Sequence, residues 1–350
     1  MGVPPVNPGS LRLLQVMAGA HHGGAEAFFE RLAAALARAG VHQHLAIRKN
    51  SARRARLRKL DTELSEHSFG GRMDFWTSWQ LRRVAAQFRP DVTLAWMSRA
   101  AIMAPKRYGV TVARLGGYYN TKYYRGFDHL IGNTQSLCDY LVQQGWPRER
   151  VHCLPNFVDA KPLPPEPREA HDTPEDAPLL LAAGRLHWRK GFDVLLAALE
   201  TIPDAVLWLA GSGPEEDELR RLAEAMGVAD RVRWLGWRQD MAALYRACDL
   251  FVCPSRQEPL GNVVIEALAH GVPVIATDTA GPSTLIQHGE TGLLVPVEDS
   301  GALASAIETL LSDPASAAAM KAAGEAVYRA SFTEEAVVGR YLEFFERVRG

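Results

Sequence analysis

Two glutamates eight residues apart, Glu258 and Glu266, stand in the stretch PSRQEPLGNVVIEALAHG at 254–271. Residues 249–253 ahead of them read as a short apolar strand and a helical pattern opens at Gly261, so the stretch is a strand, a proline-containing turn and a helix start. The backbone N–H groups of Leu260, Gly261 and Asn262 have no partners within such a helix, and its dipole points the same way, which suits a phosphate. Glu266 lies one turn beyond Asn262 on the same face. A ligand with phosphate at the helix tip would therefore meet Glu258 at one end and Glu266 at the other. A sugar nucleotide has that order of groups: hydroxyls, diphosphate, hydroxyls. A solvated loop glutamate beside a helix-surface glutamate fits the same two residues, so the pair is weighed with the rest of the chain.

The elements that would position such a site alternate along the sequence. Residues 11–17 read as a buried strand. They are followed by the glycine-rich turn at 19–24, with Gly23 and Gly24, and by a helix to about residue 39. Strand, glycine turn and helix let backbone approach a phosphate, although the turn is neither G-x-G-x-x-G nor a P-loop and an ordinary tight turn reads the same way. Further strands are expected at 43–47, 91–96, 110–114 and 130–132, with a helix over 74–88. The loop at 115–125, LGGYYNTKYYR, gathers Tyr118, Tyr119 and Lys122 into a polar, aromatic wall fit to stack on sugar; an aromatic loop without a ligand is the alternative. Residues 160–178 are rich in proline and acid without periodicity and read as a linker.

The second half repeats the alternation. A strand at 179–183 leads into GRLHWRKG at 184–191, where Arg185 and Lys190 flank the turn and could clamp a diphosphate from two sides, positive charges common to any such loop being the alternative. A strand at 206–210 precedes Gly211-x-Gly213, which lacks the third glycine of a dinucleotide site because position 216 is Glu. Strands at 231–235, 249–253 and 272–276 and a helix at 300–311 follow. This pattern implies parallel sheets covered on both faces. Ligands then sit at the carboxyl ends of the strands, where every loop named above falls. Two α/β domains, 1–158 and 179–332, with those loops facing one cleft and a final helix at 333–350 returning to the first domain, are the expected organisation.

Composition bounds the partners. The 350 residues carry 47% hydrophobic and 23% charged side chains, ordinary for a soluble globular chain. No run of 18 apolar residues is present to span a bilayer, and no basic region with a long apolar core opens the chain as a secretory signal would. Cys138, Cys153, Cys248 and Cys253 form no C-x-x-C pair, so reduced thiols in a cytosolic protein are expected, without zinc or disulfides. The net charge of -1 conceals 22 Lys and Arg against 11 Asp and Glu in residues 1–160, and 17 against 29 in residues 161–350. The first half is thus expected to meet an anionic partner. Its densest segment, 48–59, lacks the motifs and stacking aromatics of a nucleic-acid binder. An anionic membrane surface is the better partner, and a solvated basic edge is the alternative.

Taken in order, GRLHWRKG, GSGPE (211–215), EPLGNVVIEALAHGVPVIAT (258–277), Gly281-Pro and GETGLL (289–294) resemble a retaining glycosyltransferase of family 4, whose GT-B fold has two Rossmann-like domains. The resemblance covers nearly the whole chain and is strongest over about 180–296. It implies that Glu258 contacts the donor sugar, Glu266 the ribose, Arg185 and Lys190 the diphosphate, and Trp237 and Arg238 the base, with Gly23, Gly24 and Gly211 close to the donor. It also implies transfer from a nucleotide diphosphate sugar, a UDP-sugar being favoured, by front-face attack, the departing phosphate oxygen taking the acceptor proton. No Asp-x-Asp is present and no metal or other cofactor is expected. Many relatives have a histidine in the loop that here reads Leu115-Gly-Gly-Tyr118, and no residue is assigned that role. The Gly-Gly-Tyr-Tyr and EPLGN forms are similar to bacterial cell-surface glycan and lipopolysaccharide enzymes, which implies a glycan or glycolipid acceptor at the inner face of the cytoplasmic membrane. A sugar-nucleotide 2-epimerase and a non-catalytic sugar-nucleotide binding module remain the alternatives.

Overall fold

The computed structural model describes residues 8–350 apart from 21–22, 72–73, 159 and 162. It has two compact units, Met1–Phe157 with Glu334–Gly350, and Val158–Thr333. The first unit runs β1 (Arg12–Met17), α1 (Gly24–Arg38), β2 (His42–Arg48), α2 (Ser51–Leu57), β3 (Glu63–His67), α3 (Phe75–Phe88), β4 (Val92–Trp96), α4 (Met97–Met103), β5 (Val110–Leu115), β6 (His129–Gly132), α5 (Gln135–Gln143) and β7 (Val151–Cys153). The second runs β8 (Leu179–Ala183), α6 (Phe192–Glu200), β9 (Val206–Ala210), α7 (Glu216–Ala225), β10 (Val232–Gly236), α8 (Met241–Ala247), β11 (Leu250–Cys253), α9 (Asn262–Ala269), β12 (Val274–Thr277), α10 (Pro282–Leu285), β13 (Leu293–Val295), α11 (Ser300–Ser312) and α12 (Pro314–Ser331). The last helix, α13 (Glu334–Arg349), belongs to the first unit.

Both sheets are parallel, in the orders β3-β2-β1-β4-β5-β6-β7 and β10-β9-β8-β11-β12-β13. Continuous apolar runs such as LLLAA and VLWLA form their central strands because both faces are covered by helices. Alternation divides each strand between two cores: Leu13 joins Phe28, Leu32 and Tyr341, while its neighbour Leu14 joins Leu81, Ala100 and Leu137. Thus α1 and α13 cover one face of the first sheet, and α3, α4 and α5 the other. A buried polar line crosses this core without an orphan. Trp96 Nε1 donates to Gln15 Oε1 at 2.9 Å, Gln15 Nε2 to Gln43 Oε1 at 2.7 Å and Gln43 Nε2 to the Ala33 carbonyl at 2.9 Å. The strand order reverses beside β1 and beside β8, and in open parallel sheets such switch points are where ligands bind, outside the carboxyl ends of the strands.

Four features depart from the sequence reading. Strand β3, ELSEH, is an edge strand with only His67 buried, and its two glutamates hide the strand signal. Elements β13 and α12 were not anticipated either. The linker expected at 160–178 is packed onto the second unit: Arg168 Nη2 donates to both Asp249 carboxylate oxygens at 3.0 Å and to the Ala247 carbonyl at 2.9 Å.

The basic segment is the fourth. Arg53 is 1% exposed and pairs through Nε with Glu30 at 3.0 Å; Arg56 takes the other Glu30 oxygen at 2.6 Å, and Arg54 pairs with Glu66 at 3.0 Å. Three of the charges assigned to a membrane surface are therefore spent inside the unit. Arg53 Nη2 also donates to the Ala20 carbonyl at 3.0 Å, anchoring the glycine turn. Arg53→Ala is expected to lower stability by roughly 2–3 kcal/mol, below the usual cost of a broken buried pair because Arg56 remains on Glu30. Exposed Arg58→Ala is expected to leave the denaturation midpoint unchanged. Equal midpoints for the two variants in urea melts would sink this assignment.

Candidate functional site

In the second unit, the loops that follow β8, β9 and β11 are built against one another. Arg256 N–H donates to the Arg189 carbonyl at 2.8 Å and Gln257 N–H to the same oxygen at 3.1 Å, joining loop 254–261 to loop 184–191. Loop 211–213 closes on the latter through Leu186 N–H, which donates to the Ser212 carbonyl at 3.0 Å. Gly211 has φ +149°, and a Cβ there would stand 1.8 Å from the Gly184 carbonyl oxygen. The contact explains the glycine in terms of backbone against backbone.

This assembly brings Lys190 and Glu258 together. Lys190 Nζ donates directly to Glu258 Oε2, and the Ser255 hydroxyl donates to the same oxygen at 3.3 Å. Both side chains are mostly buried, at 22% and 10% exposure. Burial works against the Lys190 charge, but the Glu258 carboxylate outweighs it and holds the ammonium above its ordinary range. The site thus keeps a full positive charge on Lys190. Burial and Glu258 push the neighbouring Cys253 thiol up to about 11, so it stays an uncharged thiol. Arg185, in the same loop, is exposed.

Helix α9 starts immediately beyond. Gly261 is its N-cap, in the left-handed region at φ +82°, and supplies no side-chain cap. The head of α9 is formed by Leu260, Gly261 and Asn262, as the sequence suggested, and Gly281 N–H donates to the Glu258 carbonyl at 2.8 Å, fixing the turn that leads into it. Further along α9, half-buried Glu266 has its Oε2 3.3 Å from the hydroxyl of buried Tyr245, which also lies 3.0 Å from the Val263 carbonyl. Burial first, and Glu266 second, raise the Tyr245 phenol well above its ordinary value, so Tyr245 is a permanent donor beside Glu266.

Sequence reasoning missed Arg256, which staples these loops from behind. Its guanidinium takes both oxygens of Asp193 at 2.7 and 2.6 Å, Glu298 Oε2 at 2.8 Å and the Trp188 carbonyl at 2.8 Å. Burial pushes the Asp193 carboxyl up, but the guanidinium outweighs it and leaves a net fall; the Arg256 hydrogen bond likewise lowers Glu298. A depressed carboxylate contributes stability above its unfolded-state pKa and loses it as pH falls through the folded-state value. The staple is therefore expected to hold above about pH 4 and to fail below it. Thermal melts from pH 7 to pH 3 should show a steeper acid loss in the wild type than in Arg256→Met; parallel curves would count against the staple.

Trp237 and Arg238 follow β10. Trp237 is 69% exposed. Arg238 is engaged with Asp240 at 2.6 and 2.8 Å and with Glu166 at 2.9 Å, so it ties the 160–178 segment to this loop. Among the described residues, no hydrogen bond or ion pair joins either residue to Lys190 or Glu258.

In the first unit, His21 and His22 of the glycine turn lie outside the described residues, whereas Gly23 and Gly24 open α1. The turn is organised by Glu26, which the sequence reading did not single out. Buried at 7% exposure, its Oε1 accepts the Ala20 N–H at 2.7 Å, and a Cβ on Gly19 or Gly23 would strike its carboxylate at 2.5 or 2.4 Å. Glu26 stands in the first turn of α1, where a carboxylate is favoured by the helix dipole, and that acidic first turn was the available signal. In loop 116–125, the phenol of half-buried Tyr119 is raised by burial and then by the charge of Glu26. Tyr118 is 48% exposed, packs edge-on to Tyr140 at 5.2 Å and donates to Ser136 Oγ at 3.3 Å. Lys122 lies over the Tyr123 ring at 5.0 Å. Beneath the loop, buried Arg114 is sandwiched between Phe28 and Trp96 and donates to Tyr341 Oη of α13 at 2.8 Å.

Residues 22–161 match the family model described as Glycosyltransferase Family 4, and residues 165–327 the model described as Glycosyl transferases group 1. The chain is 35% identical over 324 residues to the lipopolysaccharide core biosynthesis glycosyltransferase LpsE of Rhizobium meliloti, covering 92% of this chain and 95% of that protein. In fold it is similar to a glycosyltransferase from Rickettsia africae, at TM-score 0.87 and 19% identity over 97% and 98% of the two chains. It is also similar to Anabaena HepE in complex with UDP-glucose, at TM-score 0.82 and 22% identity over 96% and 100%. A match of this identity along almost the entire length, joined to the Glu258-x7-Glu266 spacing at the head of α9, places the chain among the family 4 glycosyltransferases of the GT-B fold.

Proposed function

We propose that this glycosyltransferase moves a sugar from a UDP-sugar to a lipopolysaccharide-core type glycolipid, with retention of anomeric configuration and without a metal ion. The observation that carries the reading is the Lys190–Glu258 pair held at the head of α9, with Arg185 exposed in the same loop as Lys190. A diphosphate at the helix head meets the positive end of the α9 dipole and two positive side chains. Glu258 then takes the hydroxyls of the sugar on one side, and Glu266 those of the ribose on the other. The name of LpsE supports the acceptor class, and the UDP-glucose in HepE supports the donor class.

The bond from the anomeric carbon to the phosphate oxygen breaks with its electron pair passing to UDP. The acceptor oxygen forms its bond on the same face, and its proton passes to the departing phosphate oxygen. Lys190 and Arg185 stabilise the charge that gathers there. In this reading the loops of the first unit at 19–26 and 116–125, with Tyr118, Tyr119 and Lys122, take the acceptor at the inner face of the cytoplasmic membrane.

The test is turnover of UDP-glucose and UDP-galactose with core-truncated lipopolysaccharide in the presence of EDTA, reading UDP release and the anomeric protons of the product by NMR. UDP release that requires acceptor and yields the donor's anomeric configuration is expected. Epimerised UDP-sugar formed without acceptor would replace the transferase reading by the 2-epimerase one. Binding without turnover would leave a binding module.

A further inference from the structure

Helix α3 presents an unusual outer face. Its buried side, Thr77, Leu81, Ala85 and Phe88, packs on the first sheet. Its outer side carries Phe75, Trp76 and Trp79 at 75%, 62% and 43% exposure, and then exposed Arg82 and Arg83. Spaced at i, i+1, i+4, i+7 and i+8, these five residues form one stripe along the helix. The indoles of Trp76 and Trp79 stack at 4.7 Å, and the Arg83 guanidinium lies 4.8 Å over the Trp79 ring. No Asp or Glu occurs from Phe75 to Phe88, and Arg89 beyond the helix is exposed and basic as well. The acid nearest in sequence, Asp74, is occupied: it caps α3 by accepting from Thr77 N–H at 2.9 Å and takes the Gly70 N–H at 2.7 Å.

Three large exposed aromatics in one patch on a soluble surface call for an occupant. The chemistry of this one is that of a lipid interface. Trp and Phe partition into the headgroup boundary, and arginines beside them meet anionic headgroups. A second copy of the chain fits less well, because a two-fold pairing through this face sets its arginines against the same basic face. The position also matters. The aromatics occupy the first two turns of α3, which begins beyond the carboxyl end of β3. In a parallel sheet that is the edge carrying the 19–26 and 116–125 loops, which follow β1 and β5.

We propose that the Phe75–Trp76–Trp79–Arg82–Arg83 face of α3 is the surface by which this protein docks on an anionic bilayer, rather than the basic segment at 48–59. Docking there sets the two loops of the first unit at the height of lipid headgroups. The value of that placement for a lipid-borne acceptor rests on the proposed transferase reading; the docking itself does not.

Co-sedimentation with vesicles of phosphatidylglycerol and phosphatidylcholine tests it. The wild type is expected to pellet with anionic vesicles. Trp76→Ser with Trp79→Ser is expected to weaken binding at least tenfold, and Arg82→Ser with Arg83→Ser by about fivefold per arginine; only the latter loss should vanish on pure phosphatidylcholine. Lys49→Ser with Arg58→Ser and Lys59→Ser should matter less than either. All substituted side chains are exposed, so unchanged melting and UDP binding verify the fold and separate this proposal from the donor reading. The proposal is overturned if the tryptophan variant pellets like the wild type or if the 49/58/59 variant alone abolishes binding. It is equally overturned if the wild type ignores vesicles and is instead a dimer that the tryptophan variant dissociates.

Discussion

Lys190→Ala is expected to lower kcat by roughly 100- to 1000-fold, the range for losing one preorganised charge at a developing anion. Two effects add in the same direction. In the proposed reaction the departing UDP loses a positive charge that Glu258 keeps fully protonated in the free protein, and Glu258 is left mostly buried without its cation partner. Lys190→Arg should recover little, because a planar fork does not replace a compact ammonium in that space. The double variant Lys190→Met with Glu258→Gln keeps the pair uncharged and is expected to fold well while remaining inactive. That combination separates loss of catalysis from loss of structure. Steady-state rates with saturating UDP-sugar are the readout, and a Lys190→Ala enzyme within tenfold of wild type would remove this residue from the leaving-group role.

Gly211→Ala carries the largest structural penalty expected in the second unit. The added carbon would overlap the Gly184 carbonyl oxygen at 1.8 Å, and neither partner is a side chain that can swing away. The backbone of β9 or β8 must shift, at a cost of roughly 3 kcal/mol or more. For a unit of this size that corresponds to a fall of roughly 6–12 °C in Tm. Because Gly184 opens the loop that carries Arg185 and Lys190, donor affinity should fall with it. Gly227→Ala is the control: it too has positive φ, +68°, but nothing lies within 4 Å of its Cβ position. Calorimetric melts that place both variants at the same temperature would mean that conformation, not the close approach, decides.

The strands with continuous apolar runs and the loops after them were legible because a two-faced parallel sheet leaves few other uses for LLLAA or VLWLA. The placement of Lys190 and Glu258 on loops after β8 and β11, and of Glu266 on the helix that follows, was legible from the strand-loop-helix pattern; their roles toward a donor belong to the proposed function. What the sequence hid are partnerships at long range. Nothing local shows that Arg53 of a basic run is buried on Glu30, 23 residues earlier. The same holds for Arg256, which meets Asp193 and Glu298 from either side of the chain. Composition counted those arginines as surface charge, and only folding reveals which are spent. Conversely, Phe75, Trp76 and Trp79 look like core residues in a string of letters. The turn of α3 that buries Thr77 and Leu81 sends them outward.

The most direct measurement of the central claim is a metal-free thermal-shift titration with UDP-, GDP- and ADP-sugars, on the wild type and on Glu266→Ala and Arg185→Ala. At about 100 times its Kd the correct donor should add roughly 2.7 kcal/mol of stability. With ribose on Glu266 and diphosphate on Arg185, as proposed, the wild type is expected to shift with the UDP-sugar class and both variants to lose that shift. A wild-type shift that survives unchanged in Glu266→Ala and Arg185→Ala would place the donor elsewhere and contradict the site described.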